Sequence, residues 1–392
     1  MNKATHPLSD RIKNIPHDPM LDFLDKVEQS DDLVDLGFGD PDFAVGKKTK
    51  EAFKTAIDAD RSHYADGQGI LELREAAKDF YNKKYDCRIE SANDVLVTVG
   101  AAEGINLALL ALANPGDGVM IVEPEYSQYS TALCLARAAK IPIDTKQTAF
   151  KLTPELIKNA YNDAISKGIN PIAIVINYPN NPTGITYNRS ELNALANVFR
   201  ELKIWVLSDE IYAEQTYIGN HVSLYSILPE QTILITGLSK SHSMTGYRLG
   251  FVISHGRVMK AMRKIHDTLL TCVATPIQDA AAFALKNDPD AGVKTRSTYL
   301  ERVTKVTNAL NALGFQVKLP QGAFYVWAKI PDKFGDDADN FCLDLAQRAR
   351  VQIFPGSIFS DTAKNYVRIS CAGSDARLDS ALRRITDYLQ NC

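Results

Sequence analysis

Short, unbroken apolar runs, each followed by a loop of small or polar residues, set the terms for any fold of this chain. They lie at Val95 to Val99, Val119 to Val122, Ile172 to Ile176, Ile204 to Leu207, Ile233 to Thr236 and Leu249 to Ile253, with helical stretches between most of them. A strand with one wet face alternates apolar and polar side chains, so unbroken runs mark strands covered on both faces. The pattern predicts an α/β fold: a mostly parallel mixed sheet between helices.

Two crossover helices are well marked. Thr153 can cap the first, Pro154 fits its first position and Glu155 complements its dipole. The second follows Asn188-Arg189-Ser190 and carries Leu192, Leu195, Ala196 and Phe199 at helical spacing. Beyond Pro276 the pattern predicts a long helical region to about Leu313, hairpin-like segments over Phe315 to Ile330 and an amphipathic helix from Ser374. At 392 residues the chain exceeds one compact core. The expected division is an N-terminal segment (1–40) joining a small domain, a large cofactor-binding domain (41–285) and a small α+β C-terminal domain (286–392). There is no internal repeat and no Gly/Ser linker.

With 44 basic against 47 acidic residues and a net charge of −3, the chain carries no electrostatic footprint for nucleic acid or anionic membrane. Small molecules are the expected partners. The start, Met1-Asn2-Lys3-Ala4-Thr5, is polar and carries no export signal, and no stretch has the ~18 apolar residues of a membrane span. Cys87, Cys134, Cys272, Cys342, Cys371 and Cys392 are scattered, which reads as reduced thiols in a cytoplasmic protein without a metal site.

The chemistry concentrates in loops after strands. Gly237-Leu238-Ser239-Lys240, with Arg248 eight residues on, offers a hydroxyl, an amine and a guanidinium, the groups that form an imine and bind a phosphate dianion. Asn177-Tyr178-Pro179-Asn180-Asn181-Pro182-Thr183-Gly184 follows another strand and by itself reads as a turn. Ser208-Asp209-Glu210-Ile211-Tyr212 follows a third, where Asp209 alone reads as a helix cap. Gly100-Ala101-Ala102-Glu103-Gly104 opens an apolar helix, so its free N–H groups can take a phosphate. Loops after consecutive parallel strands converge on one crevice.

Together with Gly37-Phe38-Gly39-Asp40-Pro41-Asp42-Phe43, Tyr64, Tyr126 and Arg368 in Tyr366-Val367-Arg368-Ile369-Ser370, these elements resemble, in order and spacing, the class I/II aminotransferases of the aspartate-aminotransferase-like, fold type I group. The resemblance spans nearly the whole chain. It implies pyridoxal 5'-phosphate as cofactor, an amino acid and a 2-oxo acid as substrates, and a homodimer with shared active sites. It implies that Lys240 holds the cofactor as a Schiff base and shuttles the proton, that Asp209 keeps the pyridine nitrogen protonated, and that Asn181 and Tyr212 bond the ring 3′-oxygen. Tyr126 would stack on the ring. Ser239, Arg248 and the Ala101 and Ala102 amides would hold the phosphate, with Tyr64 reaching it from the neighbouring subunit, and Arg368 would pair with the substrate α-carboxylate near the Gly39 backbone. Ala101 and Ala102 depart from relatives that place a hydroxyl in this turn, which shifts load to Ser239, Arg248 and Tyr64.

The region around Ser239 to Gly246 resembles aromatic and acetyl-diaminopimelate aminotransferases, and an aspartate type fits the wider family. A carbon–sulfur lyase on the same fold is the nearest alternative. A non-catalytic regulator is disfavoured because residues 1 to 36 are too short for a winged helix, and a nicotinamide dehydrogenase because the glycine fingerprint is missing.

Overall fold

The computed structural model describes Ser9, Ile12, Lys13, Ile15 and residues 17–391, so the polar start Met1 to Thr5 and Cys392 lie outside the described residues. Strands β1 (Val34–Asp35), β2 (Val95–Thr98), β3 (Gly118–Glu123), β4 (Ala139–Asp144), β5 (Pro171–Asn177), β6 (Trp205–Asp209), β7 (Thr232–Gly237) and β8 (Gly250–Ile253) come first along the chain. All but β1 form a seven-stranded sheet in the order β2-β8-β7-β6-β5-β3-β4. Only β8 runs antiparallel to its neighbours, β2 and β7.

Each predicted run is a strand, and β4 is the addition. Its side chains alternate between half-exposed or exposed and buried positions, Lys140 and Pro142 sit within it, and it lies at the sheet edge. Lysine and proline are tolerated at an edge, where one side of the ladder is free, and this disguises the strand in the sequence. In the centre, successive residues feed opposite faces. Ala173, Val175 and Leu207 pack with Ile105, Leu109, Val258 and Met262, whereas Ile174, Ile176 and Val206 pack with Ile157, Leu192, Leu195 and Phe199. A layer of helix therefore covers each face. Thr153 caps helix Pro154–Ser166 by accepting from the Leu156 N–H at 3.3 Å, and Asn188 with Glu191 closes a capping box on helix Arg189–Leu202.

The helical region after Pro276 is two helices, Thr275–Asn287 and Ala291–Ala312, not one. Pro289 lacks an N–H to donate and pushes Asp288 out of helical conformation (φ −137°, ψ 52°), which breaks the run. Strands β9 (Gln316–Val317), β10 (Tyr325–Lys329), β11 (Val351–Gln352), β12 (Phe354–Pro355) and β13 (Tyr366–Ser370) follow. β9 and β10 pair antiparallel in a sheet ordered β12-β13-β10-β9, and helix Asp375–Gln390 starts after its cap Ser374. A separate core of Val303, Leu310, Phe341, Leu345, Val367 and Ile385 takes in Phe23, Val27 and Leu36 from the chain's start. β1 pairs parallel with β11, which fastens that start to the C-terminal part.

Phe199 is fully buried between sheet and helix, so Phe199→Ala should destabilise the fold by about 3–5 kcal/mol. Asn188→Ala, which removes a cap, should cost about 1 kcal/mol. Denaturant midpoints of the two variants should fall in that order; the reverse order would contradict the packing.

Candidate active site

The carboxyl ends of β5, β6 and β7 open into one cleft of about 960 Å³, closed on its other side by residues 38–42 and the end of β13. Asn177 and Asp209, the last residues of β5 and β6, are in register. Of the residues expected at a site, Gly39, Ala101, Ala102, Tyr126, Asn181, Asp209, Tyr212, Ser239, Lys240, Arg248 and Arg368 all line this cleft. Tyr64 does not: its side chain stands 85% exposed on the surface of its own chain.

Lys240 sits on the single helical turn Leu238–Ser241 that follows β7, and its Nζ donates to the Gly39 carbonyl at 2.7 Å. Burial pushes its pKa down to about 8; Asp40 opposes the shift, and the Arg368 and Arg248 charges add to it. Asp209 is the counterpart at the end of β6. Its Oδ2 accepts from the Tyr129 hydroxyl at 2.7 Å and its Oδ1 from the Ile211 N–H at 3.2 Å. Burial lifts its pKa to about 6 against the pull of those two hydrogen bonds. Asp209 is thus a buried carboxylate fixed at both oxygens, not a helix cap.

One end of the cleft is built to take an anion. Gly100 turns the chain at φ +74° into helix Gly100–Leu112, whose first N–H groups have no intrahelical partner. A Cβ on Gly100 would lie 2.8 Å from an Arg248 guanidinium nitrogen, and one on Gly250 would lie 2.7 Å from the Ala101 nitrogen. The two bare glycines let the amide turn and the guanidinium close on the same space. Ser239 lines the cleft with them.

At the other wall Arg368 is 2% exposed. Its guanidinium donates to Asn181 Oδ1 at 2.7 Å and to the Gly37 carbonyl at 2.6 Å, and it lies 4.5 Å from the Tyr325 ring centroid. Its Nε has no hydrogen-bond partner. Among the described residues no carboxylate forms a salt bridge with it, so it is a buried cation without a counterion there. Such a group calls for an anionic ligand. Gly39 leaves no room for a side chain, since a Cβ there would overlap the Tyr325 hydroxyl oxygen.

Sequence reasoning missed Tyr129, Tyr325 and Thr245. Tyr129 stands three residues after Tyr126, where it makes an edge contact at 5.7 Å with that ring, and its spacing was the available signal. Tyr325 meets the Tyr212 hydroxyl at 2.9 Å, and Thr245 donates to Asp40 at 2.7 Å; both contacts cross from one part of the chain to another and leave no local trace. Among the described residues no group of His, Cys, Asp and Glu could hold a metal ion, and no helix is long and apolar enough to cross a membrane.

The family model described as aminotransferase class I and II matches residues 31–385. A probable N-acetyl-LL-diaminopimelate aminotransferase of Bacillus subtilis is 36% identical over 380 residues, covering 97% of this chain and 95% of its own. An aspartate aminotransferase of Pyrococcus horikoshii is 36% identical over 394 residues, covering 99% and 98%. A solved single mutant of Thermus thermophilus aspartate aminotransferase superposes with a TM-score of 0.90 at 30% identity over 98% of this chain and all of its own. That family works with pyridoxal phosphate, and the reaction here is amino-group transfer. With a seven-stranded sheet of its fold and a match over nearly its whole length, the chain belongs to the class I and II aminotransferases and is a transaminase.

Proposed function

We propose that this transaminase binds pyridoxal 5'-phosphate in the cleft and moves the amino group of an L-amino acid, of aromatic, aspartate or acetyl-diaminopimelate type, to a 2-oxo acid. The observation that carries the reading is the layout of charge: a buried amine, Lys240, and a buried carboxylate, Asp209, between an amide-and-guanidinium pocket and the unpaired Arg368. When bound, pyridoxal phosphate supplies an aldehyde that captures amines and a ring that accepts the electrons released at the substrate α-carbon.

The chain's residues do the rest. The Ala101 and Ala102 amides, Ser239 and Arg248 hold the phosphate, with Tyr64 from a second copy of the chain completing the shell. Tyr126 covers the ring face, while Asn181 and Tyr212 bond its 3′-oxygen. Asp209, oriented by Tyr129 and the Ile211 N–H, keeps the ring nitrogen protonated. Arg368 forks onto the substrate α-carboxylate beside the Gly39 backbone, and Asn181 already holds one of its nitrogens in place. Lys240, drawn below its usual pKa by burial, is the base that would move a proton between the substrate α-carbon and the cofactor C4′. The proposal includes a homodimer in the cytoplasm and the division of the chain at residues 40 and 285.

Borohydride should fix the cofactor on the peptide containing Lys240, and Lys240→Ala should still take up pyridoxal phosphate while losing nearly all turnover. Label on another lysine, or near-normal turnover in the variant, refutes the assignment. Only the neutral amine attacks an aldehyde. With its pKa lowered from 10.5 to about 8, the reactive fraction of Lys240 should rise roughly tenfold per pH unit below 8 and level off above it. The rate at which apoenzyme takes pyridoxal phosphate covalently, followed by absorbance, should trace that curve; a rate that climbs unabated past pH 10 contradicts it.

If Tyr64 serves a second copy, mixing Tyr64→Ala with Lys240→Ala subunits creates one doubly defective and one intact site in each mixed dimer. Activity should reappear on mixing. No recovery after verified subunit exchange, or full activity of a monomer, rules out the shared site.

A further inference from the structure

Arg377 lines the mouth of the cleft, is exposed, and its guanidinium forms no hydrogen bond or ion pair among the described residues. It occupies the first turn of helix Asp375–Gln390, where its N–H is held by the cap Ser374. A cation there opposes the helix dipole, so helix stability does not explain the residue. Its side chain folds back toward the start of the helix, the direction that helical side chains take. A Cβ on Gly373 would lie 3.2 Å from Arg377 Cδ and 4.0 Å from one of its guanidinium nitrogens, so the bare glycine lets the arginine lie along the cleft wall.

Asp375 and Asp379 on its own helix, and Asp40 and Asp42 along the cleft, are engaged elsewhere. Arg302 holds Asp42 at 2.8 Å and Asp375 at 3.3 Å, Lys305 holds Asp379 at 3.0 Å, and Asp40 accepts from Thr245 at 2.7 Å. Among the described residues nothing neutralises Arg377, and its charge is left for something that enters the cleft. Arg368, Ser370, Gly373, Ser374 and Arg377 all line the cleft. Arg368 is buried and Arg377 is exposed, so the two guanidinium groups stand at different depths of the cleft.

We propose that Arg377 is an anion subsite at the cleft mouth, and that this transaminase favours amino donors whose second acidic group lies several bonds from the α-carbon. The inference rests on the reading of Arg368 as the partner of the α-carboxylate. A six-carbon or longer 2-amino diacid carries its second acidic group farther from the α-carboxylate than the four-carbon one does, toward the cleft mouth where Arg377 stands.

The test compares kcat/KM for donors of equal length: 2-aminoadipate against norleucine, and aspartate against 2-aminobutyrate. Arg377→Gln should lower the six-carbon acid-to-neutral ratio by about fivefold at low ionic strength, Arg377→Glu should lower it further, and the four-carbon ratio should move less. Added salt should lower the six-carbon ratio of the wild type but not of Arg377→Gln. Inhibition by adipate relative to hexanoate, a readout without turnover, should follow the same order. Six-carbon ratios within about twofold of wild type in both variants, or equal losses for both lengths, overturn the subsite. If instead Arg368→Lys leaves KM unchanged for every donor, the α-carboxylate reading fails, and the subsite falls with it.

Discussion

Burial of charge without local neutralisation governs this molecule. Lys240, Asp209 and Arg368 are all out of water, yet none forms a salt bridge with a partner in its own chain among the described residues. An ionic group in such a place costs several kcal/mol unless hydrogen bonds or an opposite charge compensate it. Here the compensation is partial and built from neutral donors and acceptors: a tyrosine hydroxyl and one amide for Asp209, a carbonyl for Lys240, a carbonyl, an amide oxygen and aromatic faces for Arg368. Direct pairing of Lys240 with Asp209 would lower the energy of the folded chain. It would also leave neither group free to act on a ligand.

The remainder of the architecture supplies the stability that offsets such a cleft. The central strands are buried along their length and give alternate side chains to two helix layers. The sheet fixes Asn177, Asp209 and Gly237 at the carboxyl ends of its central strands with the precision of a hydrogen-bonded ladder, and the loops beyond carry the chemistry. The glycines at 100, 250 and 39 act differently, because each stands where a neighbouring group has already taken the space a side chain would need. They allow Arg248 and Tyr325 to come within contact of backbone.

Much of this was legible in the residues themselves. Unbroken apolar runs report strands because both sides of the sheet must be dry, and the site motifs are local in sequence because each is the loop after one strand. What escaped was set mostly by long-range contact, with one local exception at Pro289. β4 looks polar because an edge strand is wet on one side, and Pro289 interrupts a helical pattern that its neighbours would otherwise continue. Tyr325 and Tyr129 owe their positions to partners 113 and 80 residues away. Arg377 is ordinary as a surface arginine in a helix, and only the bare Gly373 beside it and the engagement of its acidic neighbours mark it out.

The pairing of β1 with β11 fixes the order in which the molecule can be completed. Val34 lies opposite Val351, the Ser370 N–H donates to the Leu36 carbonyl, and the Asp42 N–H donates to the Ala372 carbonyl. During synthesis the first of these segments leaves the ribosome more than three hundred residues before its partners exist. The sheet that carries Lys240 and Asp209 closes with strands that end at Ile253, so it can assemble while the opposite wall of the cleft is still missing. Gly37 and Gly39 are brought to Arg368 and Lys240 only by the last part of the chain to be made. The nascent protein therefore holds its reactive lysine in an open groove until residues 351–372 have been made, and joining residues 34–42 to them is the step that turns a folded sheet into an enclosed site.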